Sequence, residues 1–437
     1  MRNDREPWAG RGIREGGNVE RRTMERACTE ETNGERSGET NREANGKMNL
    51  ALFLLLEGRT NLYACTGCSI CSSVCPASRA GEMDPCSFVR LAILGRDEMV
   101  LNNQWIWSCA QCLKCSSACP EGIDIHEAIN SAKALQPEGS IPGPLSLAMK
   151  AEAVSGNSLG TMPARFMGLV SLAEEAYERR FGTRVSFPVD RQGAETLLLP
   201  SHLLMEKEPE LLASYARIFE AAGESWTLSS LCLDSACSAW FARNGCGQDL
   251  WTTRLCHIME SLGAKVCIMD DCASPLAPFG AGARVREEEK EPARISIVSM
   301  TEQIFNYLEQ GRIALRSMAL EGPVTIQDPC NTSKSQELIE FPRTLVEFME
   351  AELTEMVLAR TESVCCGGVL LSCAMKEEAE RFGSWKLRHL EESRAKKVLT
   401  VCASCYRQIS RLLARSGHDM EVLFLPQLVA ERVTGGG

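Results

Sequence analysis

No stretch of the 437 residues reaches the roughly 18 consecutive apolar positions that a membrane-spanning helix requires. Basic charge is in short supply: 47 Lys and Arg stand against 58 Asp and Glu, a net charge of −11. That balance argues against nucleic acid as the main partner, because phosphate contacts need clustered Lys and Arg. Aromatic residues are sparse at 6%. There is no Ser-His-Asp set, no Walker loop and no dinucleotide fingerprint, and Gly280-Ala281-Gly282 is too short to count as one. Hydride chemistry and ATP use therefore find no support. The start has neither the apolar core of a signal peptide nor the acid-poor character of a transit peptide. What the chain does have is cysteine, 22 residues of it. Disulfide scaffolds are normally short and secreted, so ligation of metal or clusters is the better reading in a chain this long, which we read as cytoplasmic.

Residues 1–47 mix basic and acidic side chains with many glycines and asparagines and almost nothing to bury. Such a segment is expected to be disordered, and Met48 is a candidate alternative start. Beyond it, Cys65, Cys68, Cys71 and Cys75-Pro76 follow C-x2-C-x2-C-x3-C-P, and Cys109, Cys112, Cys115 and Cys119-Pro120 repeat the pattern in full. This is the spacing of two-cluster ferredoxins, in which the fourth cysteine of each run reaches across to the other cluster. One [4Fe–4S] cubane is thus assigned to Cys65, Cys68, Cys71 and Cys119, and the second to Cys109, Cys112, Cys115 and Cys75. Zinc sites or plain core cysteines are the competing reading, and a doubled eight-cysteine match argues against it. Phe88, Leu91, Ala92 and Leu94 lie at helical spacing between the quartets, and Ile125 to Leu135 reads as another helix. A helical rather than a β-type ferredoxin domain follows. Cys86 is taken as core packing, and Trp105 and Trp107 as the apolar shell of the second cluster.

Gln136 to Pro144 is too rich in Pro and Gly for an element interior and marks a boundary. Phe166, Leu169, Val170, Ala173 and Tyr177 then form a helical stripe packed on its own domain. Further on, two stretches repeat one plan. In the later one, the strand-like run Val324–Gln327 ends in Asp328-Pro329-Cys330, Cys365-Cys366-Gly367-Gly368 follows, and Lys397–Val401 leads into Cys402 and Cys405. In the earlier one, Thr196–Leu199 precedes His202, Cys237-Ser238 follows, and Lys265–Met269 leads into Cys272 and Pro275. His202, Ser238 and Pro275 thus stand where Cys330, Cys366 and Cys405 stand in the later copy. Leu211, Leu212, Tyr215, Ile218, Phe219 and Ala222 make a helix between strands of the first copy. Strands alternating with helices suggest an α/β arrangement with parallel sheets and sites past the strand ends. Five thiolates from three loops exceed what zinc or a cubane uses, and the adjacent Cys365-Cys366 pair suits a larger cluster with a bridging thiolate. Gly367 and Gly368 are read as letting backbone pass close to such a core. A structural zinc with one spare cysteine is the alternative. Cys232, Cys246, Cys256, Cys267 and Cys373 are treated as small hydrophobes, and His257, His389 and His418 as surface or satisfied core residues.

The two quartets, Asp84-Pro85, Trp107-Ser108-Cys109, the run from Cys119-Pro120 to Asp124-Ile125 and the Cys-Cys-Gly repeat together resemble the D-type heterodisulfide reductases. That family fuses a C-type ferredoxin subunit to a B-type catalytic subunit, and the likeness covers residues 60–430. The iron–sulfur subunits of glycolate oxidase, of anaerobic glycerol-3-phosphate dehydrogenase and of the complex associated with dissimilatory sulfite reduction share the layout. The resemblance implies a noncubane [4Fe–4S] cluster on Cys330, Cys365, Cys366, Cys402 and Cys405 as the catalytic group, beside two cubanes. It implies a disulfide or thiol oxidoreductase within a complex whose partners are a b-type cytochrome membrane subunit and a flavoprotein or hydrogenase-type donor. The alternative is a non-catalytic carrier between a flavin dehydrogenase and quinone or a cytochrome. Where B-type subunits have two full repeats, the earlier copy here is degenerate: either it is vestigial, or His202, Cys237 and Cys272 (with Asp271) hold a metal such as zinc. The expected fold class is α+β and multidomain, with a disordered extension over 1–47 and a helical ferredoxin domain over 48–136. A linker and helical segment follow over 137–193, then the first, degenerate Cys-Cys-Gly repeat over 194–292 and the second, intact one over 293–437.

Overall fold

The computed structural model describes residues 49–79, 83–236, 238–269, 296–316, 319–330, 336–373 and 375–435. The expected disorder of 1–47, the motif positions Cys237, Asp271, Cys272 and Pro275, and Gly280–Gly282 lie outside them.

The N-terminal part is helical throughout. Helix α1 (Leu50–Leu56) is capped by Asn49, whose side chain accepts the Leu52 N–H. A single turn, α2 (Ile70–Ser73), carries the third cysteine of the first quartet. The next two are α3 (Pro85–Ile93) and α4 (Asp97–Leu101). Turn α5 (Lys114–Ser117) holds the third cysteine of the second quartet and precedes α6 (Ile125–Ala134). Pro85 at the start of α3 is tolerated because the first amide of a helix has no partner to lose. Phe88, Val89 and Ala92 on α3 and Ala128, Ile129 and Ala132 on α6 are fully buried, as the helical spacing of these segments requires. No strand interrupts this part among the described residues, in line with the helical ferredoxin expectation.

The Pro/Gly-rich stretch is not a linker to its end. Helix α7 (Gly143–Ser155) begins inside it, with Pro144 in the first turn. Helix α8 (Pro163–Phe181) buries Phe166, Leu169, Val170, Ala173, Ala176 and Tyr177 on one stripe, each large side chain contributing about 1.5–3 kcal/mol of apolar transfer.

The rest alternates strands and helices. Strand β1 (Thr196–Leu199) is followed by α9 (His202–Lys207), α10 (Pro209–Ala221) and β2 (Trp226–Thr227). Then come α11 (Ser238–Ala242), α12 (Gly245–Leu262), β3 (Val266–Met269) and β4 (Ser296–Ser299). These strands form a parallel sheet in the order β2-β1-β3-β4. Helix α13 (Met300–Glu309) leads to β5 (Ile313–Leu315) and β6 (Val324–Gln327). Next are α14 (Gln336–Phe348), α15 (Gly368–Ser372), α16 (Lys376–Ser393) and β7 (Lys397–Thr400). The chain ends in α17 (Ala403–Ser416), β8 (Glu421–Phe424), α18 (Leu425–Arg432) and β9 (Val433–Gly435). Strands β6, β7 and β8 make a second parallel sheet, and β5 pairs antiparallel with β9. Every residue of β1 and of β6 is buried, the pattern of strands covered on both faces. One apolar core reaches both sheets, since Leu198 and Ile268 of the first share it with Ile326, Leu399 and Leu423 of the second.

Candidate functional site

The two quartets share one backbone trace. In each, the residue before the second cysteine and the residue after it are left-handed: Gly67 and Ser69 in the first, Gln111 and Leu113 in the second. Left-handed geometry is uncommon for a residue such as Leu113 and persists only where surroundings impose it. Here it turns successive thiols toward a common interior. Each loop is closed by the same latch. After the first quartet, Ser72 Oγ donates to Asp84 Oδ1 at 2.6 Å and accepts the Cys86 N–H at 3.1 Å, while Asp84 caps α3. After the second, Ser116 Oγ donates to Asp124 Oδ1 at 2.8 Å and accepts the His126 N–H at 2.9 Å, while Asp124 caps α6.

Cys75 lies in electrostatic contact with Cys109, and Cys112 and Cys115 with both. These four thiols line one cavity together with Trp105, His126 and Phe382. Burial pushes the Cys75 thiol up to about 12, and nearby Cys109 adds to the effect; Cys112 and Cys115 are raised for the same first reason. Thiols raised in this way by burial, Cys75, Cys112 and Cys115, need a cationic core to become thiolates. In the first quartet, burial raises Cys71 to about 11, with Cys86 and Cys65 as its sulfur neighbours. Cys68 is exposed and Cys119 half-buried. Cys86 is buried as expected, and its sulfur sits 3.6 Å from Ser69 Oγ, beside this quartet. Trp105 and Trp107 are buried; Trp105 Nε1 donates to Ala77 O at 3.1 Å.

The five cysteines of the later repeat come together beyond the C-terminal ends of β6 and β7, where open parallel sheets place their sites. Cys330 follows β6 by three residues, Cys365 and Cys366 precede α15, Cys402 caps α17, and Cys405 lies in its first turn. The sulfurs form a chain of contacts: Cys330 to Cys365, Cys365 to Cys366, Cys366 to Cys405, and Cys405 to Cys402. Cys366 Sγ and Cys405 Sγ are 3.2 Å apart. Backbone amides point at the sulfurs too: Gly367 N–H lies 3.4 Å from Cys365 Sγ, and Gly368 N–H 3.3 Å from Cys366 Sγ. Hydrogen bonds from Cys365 and Cys405 hold the Cys366 thiol well below the ordinary thiol range. Among the described residues, no three His, Cys, Asp or Glu side chains converge as ligands of one metal ion. A thiol set spread round a volume, with amide donors directed at sulfur, fits a polynuclear sulfide core.

The glycines act through protein packing. Gly367 is left-handed (φ +82°), and a Cβ there would meet Ala379 O at 2.8 Å; a Cβ on Gly368 would meet Ser404 O at 2.8 Å. Both are needed for α15 to sit against α16 and α17.

The two halves of the site are continuous. Cys330 is in electrostatic contact with Cys112 of the second quartet, and Cys365 shares an apolar cluster with Cys71, Cys115 and Phe382. Lys114, on the second quartet's own turn, donates to Thr361 O at 2.6 Å and to Glu362 Oε2 at 3.0 Å, just ahead of Cys365. Asp328, two residues before Cys330, is buried. It accepts from Arg343 Nη1 and Nη2 at 2.8 and 3.0 Å and from the Arg360 N–H at 2.6 Å. Arg343 Nε also binds Glu355 Oε1 at 2.8 Å. Sequence reasoning singled out neither Arg343 nor the lysines Lys114, Lys133 and Lys386, all of them buried.

In the earlier copy, His202 is buried at the start of α9, its ring 5.2 Å from that of Phe166 and close to the Leu233 backbone. Burial holds it down at about 4. The folded state thus keeps His202 neutral where the unfolded chain protonates near 6.5. Stability is unaffected above pH 6.5 and declines by about 3 kcal/mol as the pH falls to 4. Urea titrations of chelator-treated protein across that range are expected to show this slope, and to lose it in His202→Leu. Cys232, Cys267 and Cys373 are buried as expected and Cys256 is half-buried. Cys246 is not a reduced core thiol: it is half-buried and disulfide-bonded. His418 pairs with Glu391 at 2.5 Å, whereas buried His389 has Nδ1 unpartnered. A narrow crevice is lined by Ser201, Leu204, Ala236, Gly368, Ser404 and Arg407, of which Gly368 and Ser404 lie within two residues of Cys366 and Cys405 in the chain.

Residues 61–123 match the family model of a 4Fe-4S dicluster domain, and residues 324–410 that of a cysteine-rich domain. The chain is 27% identical over 119 residues to Lactate utilization protein A 1 of Bacillus mycoides (strain KBAB4); the match takes in 27% of this chain and 48% of that protein. The chain thus spans about half the length of the curated relative it matches. It joins the two domain types that the sequence resemblance called for, a 4Fe-4S dicluster domain and a cysteine-rich domain. No helix among the described residues is long and apolar enough to cross a membrane.

Proposed function

We propose that the chain is an iron–sulfur oxidoreductase of the heterodisulfide reductase type, in which two cubanes feed a five-cysteine noncubane cluster that reduces or forms a disulfide. The observation that carries this reading is Cys330, whose thiol hydrogen-bonds with Cys365 and lies in the electrostatic field of Cys112. When bound, the clusters supply one-electron transfer and, at the five-cysteine site, an iron that takes a substrate sulfur.

The chain's own residues do the rest. Cys65, Cys68, Cys71 and Cys119 hold the outer cubane, with Cys68 facing solvent where a donor approaches. Cys109, Cys112, Cys115 and Cys75 hold the inner one, and Trp105 and Phe382 keep water from it. Cys330, Cys365, Cys366, Cys402 and Cys405 hold the noncubane group. Gly367 donates its amide to Cys365 Sγ and Gly368 to Cys366 Sγ, and both keep α15 seated.

The two parallel sheets are read as diverged copies of one unit, β1 and β3 answering to β6 and β7, with the domain boundaries expected from the sequence. The buried ring of His202, held neutral by its surroundings, suits a metal such as zinc shared with Cys237 and Cys272. The partners would be a b-type cytochrome subunit and a flavoprotein or hydrogenase-type donor. A second reading is an electron carrier serving a lactate-, glycolate- or glycerol-3-phosphate-type flavin dehydrogenase; the Bacillus relative, named for lactate utilization, favours it.

Anaerobically purified protein, reduced with a viologen dye and offered a disulfide, separates the two. Thiol production, with a paramagnetic oxidised-state signal that changes on thiol addition, supports the first. Viologen oxidation only when a quinone or cytochrome acceptor is present supports the second. About four irons per chain would mean the two ferredoxin quartets are not both filled.

A further inference from the structure

Two lysines lie wholly inside the protein. Lys133 is 2% exposed and Lys386 0%. A buried ammonium is costly unless charge or hydrogen bonds compensate it, and neither lysine has a carboxylate partner among the described residues. Lys133 Nζ donates to Cys109 O at 3.1 Å and stands 3.9 Å from the ring centroid of Phe241. Lys386 Nζ has less: Ser363 Oγ at 3.4 Å and Met356 Sδ at 3.9 Å, for three N–H donors. The neighbouring Asp328 is already committed to Arg343 and to the Arg360 amide.

What these ammonium groups do face is cysteine. Cys109 and Cys373 lie in the field of Lys133. Cys366, Cys405 and Cys365 lie in the field of Lys386. Each lysine thus serves a different sulfur site. Lys133 also reaches Phe241 O at 3.5 Å, whereas Lys386 has only Ser363 Oγ and Met356 Sδ among the described residues; both ammonium groups stand beside a thiol set expected to carry negative charge.

We propose that Lys133 and Lys386 are built-in counter-charges, Lys133 for the inner quartet and Lys386 for the five-cysteine site, and that each raises the reduction potential of the group it faces. The inference rests on the clusters proposed above. Reduction adds an electron to an already anionic core. A fixed positive charge at short range in a low-dielectric interior stabilises the reduced form more than the oxidised one. Two separate lysines let the protein set the two potentials independently. Both are positioning residues that act through the thiolates.

Anaerobic potentiometric titration followed by electron paramagnetic resonance tests this on the full chain, with iron analysis on the same samples. Lys386→Met is expected to lower the midpoint potential of the five-cysteine signal and leave the quartet signals in place. Lys386→Arg is expected to restore it. Lys133→Met is expected to move only a quartet signal. Iron-free Lys386→Met is expected to unfold at or above the wild-type temperature, since an uncompensated internal cation has gone. A fully loaded Lys386→Met with an unmoved potential overturns the inference and leaves the cluster reading intact. If Lys386→Met does not load, loading of Lys386→Arg near the wild-type potential supports it, and failure of both overturns it. A wild-type chain with no third cluster removes the reading itself, and this inference with it.

Discussion

Cys366→Ala is expected to take the protein from roughly twelve irons per chain to roughly eight, and to abolish disulfide reduction while both ferredoxin signals persist. Cys366 is singled out because its thiol accepts hydrogen bonds from Cys365 and Cys405 and has the Gly368 amide within 3.3 Å. Its thiol is held below the ordinary thiol range by these donors, so it would serve as one of the thiolates holding the proposed cluster. Alanine removes the sulfur and leaves two buried neighbours, Cys365 and Cys405, without their common partner. Neither quartet uses Cys366, so their signals serve as an internal control. Retention of all the iron and of activity in this variant would show that the noncubane assignment is wrong.

Arg343→Met is the structural counterpart. Arg343 is 6% exposed and Asp328 2%, and the two are joined by a bidentate pair of 2.8 and 3.0 Å. Removing one partner of such a buried pair costs about 3–5 kcal/mol, because the remaining charge cannot be rehydrated. Chemical denaturation of the iron-free protein should register that loss. The double variant Asp328→Asn with Arg343→Met should recover a large part of it, because no bare charge then remains. The damage should also reach the site. Asp328 binds the Arg360 amide as well as Arg343, so one carboxylate ties the loop that carries Cys330 to the segment that leads into Cys365. Iron content below wild type in Arg343→Met, recovered in the double variant, is the expected signature. Unaltered stability in the single variant would contradict the role given to this pair.

Much of this molecule is legible in its cysteine spacing, because short loops translate spacing directly into geometry. The quartets turn with matched left-handed residues, the strand-like runs ending at Leu199, Met269 and Gln327 are strands, and the run Lys397–Val401 is one as far as Thr400. Tight glycine steps were legible too, although Gly367 and Gly368 owe their identity to Ala379 and Ser404 as well as to any bound group. Elements whose pattern is too short to register escaped: β2 is two residues long and β5 three. Helix α7 escaped because its Gly143-Pro144 start looks like a continuing loop, when proline in a first turn is also a helix signal. Least legible were the internal cations. Lys386 sits among Glu, Arg and His residues that read as a solvated helix face, and only the packing of α16 against α15 and α17 takes it inside. The meeting of Cys112 with Cys330 is likewise beyond any local pattern, since it joins positions 112 and 330 through the tertiary fold alone.

The 3.2 Å separation of Cys366 and Cys405 has a consequence for handling and repair. A disulfide needs roughly 2.05 Å between sulfurs, so a small side-chain rotation closes the gap once nothing holds the pair apart. If oxygen destroys the inorganic core, the same oxidant can take two electrons and two protons from these thiols and leave them linked. Damage would then be self-sealing: added iron and sulfide would not rebuild the centre until a reductant had reopened that bond.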